Sequence, residues 1–294
     1  MDYQNYNVKK GVFWIFIATI SFAIMSALVK IIGDRVTIPT IIFFRFGLGF
    51  LLLLPWFLKD IKGILHSVCP WKLFFRSILA LIAIFFTYMA IRRIPLVNAI
   101  LLTNTASLFI PLVIRIALKR KTPVAVWWGV LIGFLGVVIV LNPGRDIFNL
   151  GSIYGLLSGL FAAVALVILR LMGIQTRPSQ IFFYYFATST LIGGIGAIFL
   201  REPLDLETML LLLGIGIFGL IYQVGLTYGL KSAPVRLMSS LLFLSVVFGG
   251  FLDWLLFSHI PSLLTFLGML LVVFGSLITI IWGRKRILPP KESE

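Results

Sequence analysis

Runs of about twenty apolar residues recur along this chain from one end to the other, and they leave few options for its fold. A run of that length matches the hydrocarbon thickness of a bilayer. Apolar residues make up 60% of the 294 positions and charged residues only 12%, where a soluble domain carries about 25% charged residues. So few charges cannot coat a globule of this size. The chain is read as all-α and integral to a membrane.

Polar, glycine and proline breaks divide the runs into ten spans, at about 11–32, 38–58, 71–91, 95–118, 124–141, 151–172, 180–200, 207–229, 235–257 and 262–282. The loops are short, and no soluble domain fits between them. The first run follows Lys9-Lys10, as a signal peptide would. It exceeds the usual apolar length of about 7–15 residues and ends without a small-residue cleavage pattern, so it is read as a retained span.

Ten spans put both termini on one side. Of the 25 Lys and Arg residues, 18 fall in loops and span ends of that side, Arg76 and Arg115 among them. Six fall on the other, including Lys30 and Arg35, with Arg45 set aside. Basic loops face the cytoplasm, so both termini are expected there. The same bias explains the formal charge of +15 better than nucleic acid does, because no basic stripe lies on a soluble domain. One cysteine, Cys69, excludes an intrachain disulfide, and two histidines, His66 and His259, offer little for a metal site. No cofactor is expected. No Gly-x4-Gly-Lys-Ser/Thr motif occurs, so ATP hydrolysis by that route is excluded.

The chain is internally repeated. A shift of 140 brings Gly11 onto Gly151, Lys30 onto Arg170, Gly33 onto Gly173 and Phe46 onto Phe186; a shift of 139 brings Pro95 onto Pro234, Gly129 onto Gly268 and Gly136 onto Gly275. Residues 1–148 and 149–294 thus form two units of five spans. Five is odd, so the second unit crosses the membrane in the opposite sense, a construction that many transporters use to alternate access around a midplane site.

This layout resembles the drug/metabolite transporter superfamily, and within it the EamA-like ten-helix members. The resemblance covers nearly the whole chain. It rests on the paired five-helix halves, on Phe43-Phe44-Arg45-Phe46, on Pro95 with its counterpart Pro234, and on a Gly-x6-Gly pattern in the last span of each half. Such proteins usually carry a glutamate after the fourth span of each half; here those loops read Lys119-Arg120-Lys121 and Ser258-His259-Ile260. The resemblance implies transport of a small metabolite across a bacterial inner membrane. It leaves the substrate open among amino-acid, nucleoside and S-adenosylmethionine-like classes.

Arg45 is the outstanding candidate for a binding residue. It lies six residues after Pro39, roughly 9 Å into its helix, where a bare charge is costly. Either its head snorkels to the interface, or it faces a cavity and its planar fork holds a carboxylate or phosphate. Asp253 is the one acid well inside a span and lies at a similar depth. Arg45 is expected to take the substrate's anionic group and to exchange that partner with Asp253 between transport states. Asp253 is also the one evident carrier for proton coupling, with uncoupled exchange equally open. Tyr88, Asn104, Tyr185, Tyr222 and Gln223 complete the candidate substrate-binding set. Tyr185 is the repeat partner of Arg45, and the mid-span amides either line the interior or bond helices together.

Gly129-x3-Gly133 and Gly155-x3-Gly159 permit close helix approach; packing within the chain is the simpler reading, and a homodimer stays open. The expected partners are a small-molecule substrate and the lipid bilayer, with no nucleic acid. A secondary transporter fits best. An integral membrane enzyme, or a scaffold or channel that does not transport by alternating access, are the alternatives.

Overall fold

The structure is a computed structural model; it describes residues 7–67, 69–119, 124–141, 149–172, 176–200, 204–232 and 241–282. The helices are α1 (Val8–Ile32), α2 (Ile38–Lys59), α3 (Ile61–Leu65), α4 (Pro70–Arg93), α5 (Leu96–Asn104) and α6 (Ala106–Leu118). They continue with α7 (Val124–Leu141), α8 (Leu150–Leu171), α9 (Pro178–Leu200), α10 (Leu206–Ser232), α11 (Leu244–Phe257) and α12 (Leu263–Trp282). Seven spans, with α5 and α6 counted as one, are long and apolar enough to cross a membrane; α7, α11 and α12 are shorter apolar helices. Together they account for the ten expected spans. The small helix α3 lies in what the sequence reads as a loop.

Local chemistry sets the boundaries. Asn7 caps α1 by accepting a hydrogen bond from the Lys10 amide at 3.0 Å. Prolines open α2, α4 and α9 in the first turn, where their missing N–H costs nothing. Gly33 ends α1 at φ 53°, a conformation that a side chain would oppose.

The packing follows the repeat. Helix α1 packs on α10, α2 on α9, α4 on α8, α5 on α11 and α7 on α12. Repeat symmetry relates α1–α10 to α4–α8, and each of the other three pairs joins a helix to its own counterpart. The two halves are therefore interleaved. Two local signatures repeat as well. Lys119 and Ser258 end α6 and α11 in the left-handed conformation, at φ 50° and 52°, and they are equivalent under the shift of 139. The fourth span of each half is also interrupted. Around Thr105 the amides bond three residues back, Thr105 to Leu102 at 3.1 Å and Leu108 to Thr105 at 2.8 Å. At the start of α11 Ser245 bonds Leu242 at 3.0 Å and Val246 bonds Phe243 at 2.9 Å in the same way.

The glycine patterns serve internal contacts. A Cβ added at Gly275 would lie 2.3 Å from the Gly133 amide nitrogen, and one added at Gly136 would lie 2.6 Å from the Gly268 carbonyl oxygen. Gly-x6-Gly thus lets α7 and α12 cross backbone to backbone. Gly155 and Gly159 sit against Leu102 and Thr105 on the interrupted span.

Candidate functional site

Four of the sequence-predicted residues meet between the halves. Arg45, the eighth residue of α2, is 3% exposed. Its Nη1 donates to the Tyr88 hydroxyl of α4 at 2.6 Å, and that hydroxyl donates weakly to the Met25 sulfur at 3.9 Å. The guanidinium carbon lies 4.9 Å from the Phe46 ring centroid and 5.7 Å from that of Tyr88. Tyr185 on α9 and Tyr222 on α10 stand within electrostatic reach of the same cation. Phe46 meets Tyr185 edge to face at 4.9 Å and Phe186 at 5.5 Å. Arg45-Phe46 therefore faces Tyr185-Phe186, its own repeat image, across the contact of α2 with α9. Gly219 of α10 leaves room for the arginine stem, since a Cβ there would lie 2.9 Å from Nε.

The arginine does not snorkel to a surface. It sits in an aromatic cage whose neutral dipoles and ring faces offset part of its desolvation. No described acid pairs with it: the four described ion pairs use Lys30 with Asp253, Arg35 with Glu207, Arg92 with Asp34, and Arg177 with Asp60.

Arg45 and Asp253 are not paired in this structure. Asp253 is fully buried, but its oxygens take Lys30 Nζ at 3.3 Å and the Val97 amide at 3.2 Å. Lys30 Nζ also donates to the Ile94 carbonyl at 3.1 Å. The carboxylate thus ties the ends of α1 and α11 to the start of α5. Lys30, counted from sequence as a loop charge, is its counterion. Asn104 is also placed apart from the arginine: its amide donates to Ile100 O and to Ser245 Oγ, both at 3.1 Å. It joins the interrupted spans of the two halves where α5 meets α11. Gln223 is buried beside Tyr222 on α10.

Sequence reasoning missed Arg76. Assigned to a span end, it is 7% exposed on α4, and its guanidinium carbon lies 4.9 Å from the Tyr185 ring centroid. Among the described residues nothing hydrogen-bonds its Nε or Nη1. The signal was available: Arg76 lies more than a turn inside its predicted span of 71–91. Arg115, by contrast, is exposed near the end of α6.

At the end of the bundle where α1 begins, a second cluster joins the halves. Arg177 Nη1 donates to Asp60 Oδ1 at 3.0 Å, Ser179 donates to Asp60 Oδ2, and Gln180 donates to the Gly63 carbonyl at 2.7 Å. Beside it is a cavity of about 120 Å³, lined in part by Lys72, Cys69, Thr176 and Gln180. No described group of three or more His, Cys, Asp or Glu residues is placed to hold a metal ion.

Ten apolar spans in two interleaved repeats, enclosing a charged and tyrosine-lined site where the halves meet, define a multi-pass membrane protein of carrier build. The profile of the EamA-like transporter family matches twice, over residues 9–142 and 149–281. The chain belongs to that family. It is 29% identical to the pseudopaline exporter of Pseudomonas aeruginosa, over 90% of this chain and 94% of that one. It is 26% identical to a riboflavin transporter of Rhizobium johnstonii, over 91% and 89%. With an S-adenosylmethionine uptake transporter of Rickettsia felis the identity is 21%, over 97% of both chains. One solved crystal structure superposes on the same fold with a TM-score of 0.64 at 21% identity, covering 94% of this chain and 99% of the other.

Proposed function

We propose that this protein is a secondary transporter that carries a small polar metabolite bearing an anionic group, of amino-acid, nucleoside or S-adenosylmethionine-like size, by alternating access. The observation that supports this best is Arg45. A guanidinium buried to 3% exposure, with tyrosines around it and no acid partner among the described residues, leaves a large desolvation cost only partly offset. An anionic ligand entering the cage offsets the rest and gains charge-assisted, bidentate hydrogen bonds. The tyrosine and phenylalanine rings suit a compact or flat metabolite rather than a long lipid. Relatives named for export of pseudopaline and transport of riboflavin and S-adenosylmethionine support carriage of a metabolite without choosing its class.

Ionic ties bridge the halves at both ends of the bundle: Lys30–Asp253 at one, Asp60–Arg177 at the other. Alternating access breaks one set at a time. Asp253 then acts as part of a gate on the side opposite the termini, and both termini face the cytoplasm of a bacterial cell. Saturable, trans-stimulated uptake into proteoliposomes, screened over a panel of labelled metabolites, tests the reading. A flux that does not saturate, or chemical conversion of the solute, overturns it.

A further inference from the structure

Among the described residues, Arg76 is the largest buried group with polar atoms left unbonded. Unlike Arg45 it has no tyrosine hydroxyl on its guanidinium: the Nε and Nη1 atoms are buried and unbonded among the described residues, and Tyr185 supplies only a ring face. The interior therefore holds two buried cations served by one aromatic shelf. The Arg45 guanidinium carbon lies 4.9 Å from the Phe46 ring, Phe46 lies 4.9 Å from Tyr185, and Tyr185 lies 4.9 Å from the Arg76 guanidinium carbon. The two charges are at most three such steps apart. Arg45 approaches from the end of the bundle where α2 begins and Arg76 from the end where α4 begins, so they bracket the shelf along the translocation axis.

A packing role explains Arg76 poorly. A buried guanidinium with unbonded N–H groups is costly, and an apolar residue would fill the same space at lower cost. A single carboxylate on Arg45 does nothing for it. We propose that the substrate carries two anionic groups, one held by Arg45 and the other by Arg76, with its body laid against the Phe46–Tyr185 shelf. This rests on the reading of Arg45 given above and narrows it from a metabolite with an anionic group to a dianionic one. With a charge-assisted hydrogen bond of about 2.8 Å at each end, the remaining gap takes a short chain or a flat ring. Lys72 lies one helical turn before Arg76 on α4, on the wall of the 120 Å³ cavity. The paired buried arginines are the built site.

The test uses the full chain in nanodiscs of phosphatidylcholine, so that no anionic lipid supplies the ligand. Glutarate, adipate and pimelate are each titrated against their half-amides, with thermal stabilisation and calorimetric binding as readouts. At least one diacid should bind about tenfold or more tighter than its half-amide, the value of one hydrogen-bonded charged group. Arg76→Gln should erase that preference, bringing each diacid down to the affinity of its half-amide, and Arg45→Gln should abolish binding of both. Unliganded Arg76→Gln should melt at or above the wild-type temperature, since it removes an uncompensated charge. Equal binding of every diacid and its half-amide in the wild-type protein overturns the role of Arg76 and leaves Arg45 standing. Failure of all diacids and all half-amides to bind overturns both. A clear fall in the melting temperature of unliganded Arg76→Gln would mark Arg76 as structural and overturn the proposal.

Discussion

Alanine at Gly275 should damage the protein far more than the loss of one hydrogen atom suggests. Its Cβ would lie 2.3 Å from the Gly133 nitrogen, 2.5 Å from the Gly129 oxygen and 2.6 Å from the Gly133 Cα. All three are backbone atoms of α7, so no side chain can rotate away. Relief requires α7 and α12 to separate by about 1 Å, which forfeits much of the dispersion energy along the crossing. Overpacking of this kind costs about 1–3 kcal/mol, and the equivalent crossing at Gly136 and Gly268 opens with it. Gly47→Ala in α2 is the control. Its Cβ would meet the Thr190 Cγ2 at 3.5 Å, ordinary contact, so the better helix propensity of alanine, worth about 0.5–1 kcal/mol, should leave it neutral or slightly stabilised. Thermal melts of the detergent-purified proteins, followed by tryptophan fluorescence, compare them. A Gly275→Ala protein as stable as wild type, or a Gly47→Ala protein less stable than Gly275→Ala, would refute the backbone-contact argument.

Three further outcomes follow from the same contacts. Asp253→Asn should destabilise by up to about 3–5 kcal/mol, the cost of stranding one member of a buried pair, and adding Lys30→Gln should recover part of it; additive losses in melts would show that the two do not interact. Asn104→Ala and Ser245→Ala should couple by about 0.6 kcal/mol and at most about 1.7 kcal/mol, and a double-mutant cycle in urea or detergent unfolding measures it. The native Cys69, on the wall of the cavity at the terminus-bearing end, should react with a membrane-impermeant maleimide from the cytoplasmic side of oriented vesicles and faster in Asp60→Asn; labelling from the opposite side would reverse the topology.

Much of the fold was readable because bilayer physics acts on composition. Apolar length fixed the spans, and matched Gly and Pro positions such as Gly129 with Gly268 revealed the duplication. The contacts of α7 with α12 show why those glycines recur. The interruption at Thr105 was not readable, since no Gly or Pro marks it and the Pro111 within α6 lies more than a turn away. Within the candidate site, Arg45 was singled out by its depth, Tyr185 by the repeat, and Tyr88 and Tyr222 as polar residues inside spans. Depth alone suggested pairing Asp253 with Arg45, whereas in this structure its partner is Lys30. Lys30 and Asp253 lie 223 residues apart, and only the packing of α1, α5 and α11 brings them together. Arg76 was lost to a rule: counting basic residues for orientation treats every one near a span end as a loop charge.

The central claim is that Arg45 binds an anion rather than anchoring a helix. Initial rates of counterflow into proteoliposomes, measured for wild type and Arg45→Lys with the metabolite that the panel identifies, test it most directly. Lysine keeps the charge but cannot reproduce the planar fork that donates to Tyr88 and stacks on Phe46. The account predicts that Arg45→Lys inserts and purifies normally yet transports about tenfold or more slowly at subsaturating substrate, the value of one charged hydrogen bond. Transport by Arg45→Lys at the wild-type rate and affinity would contradict it.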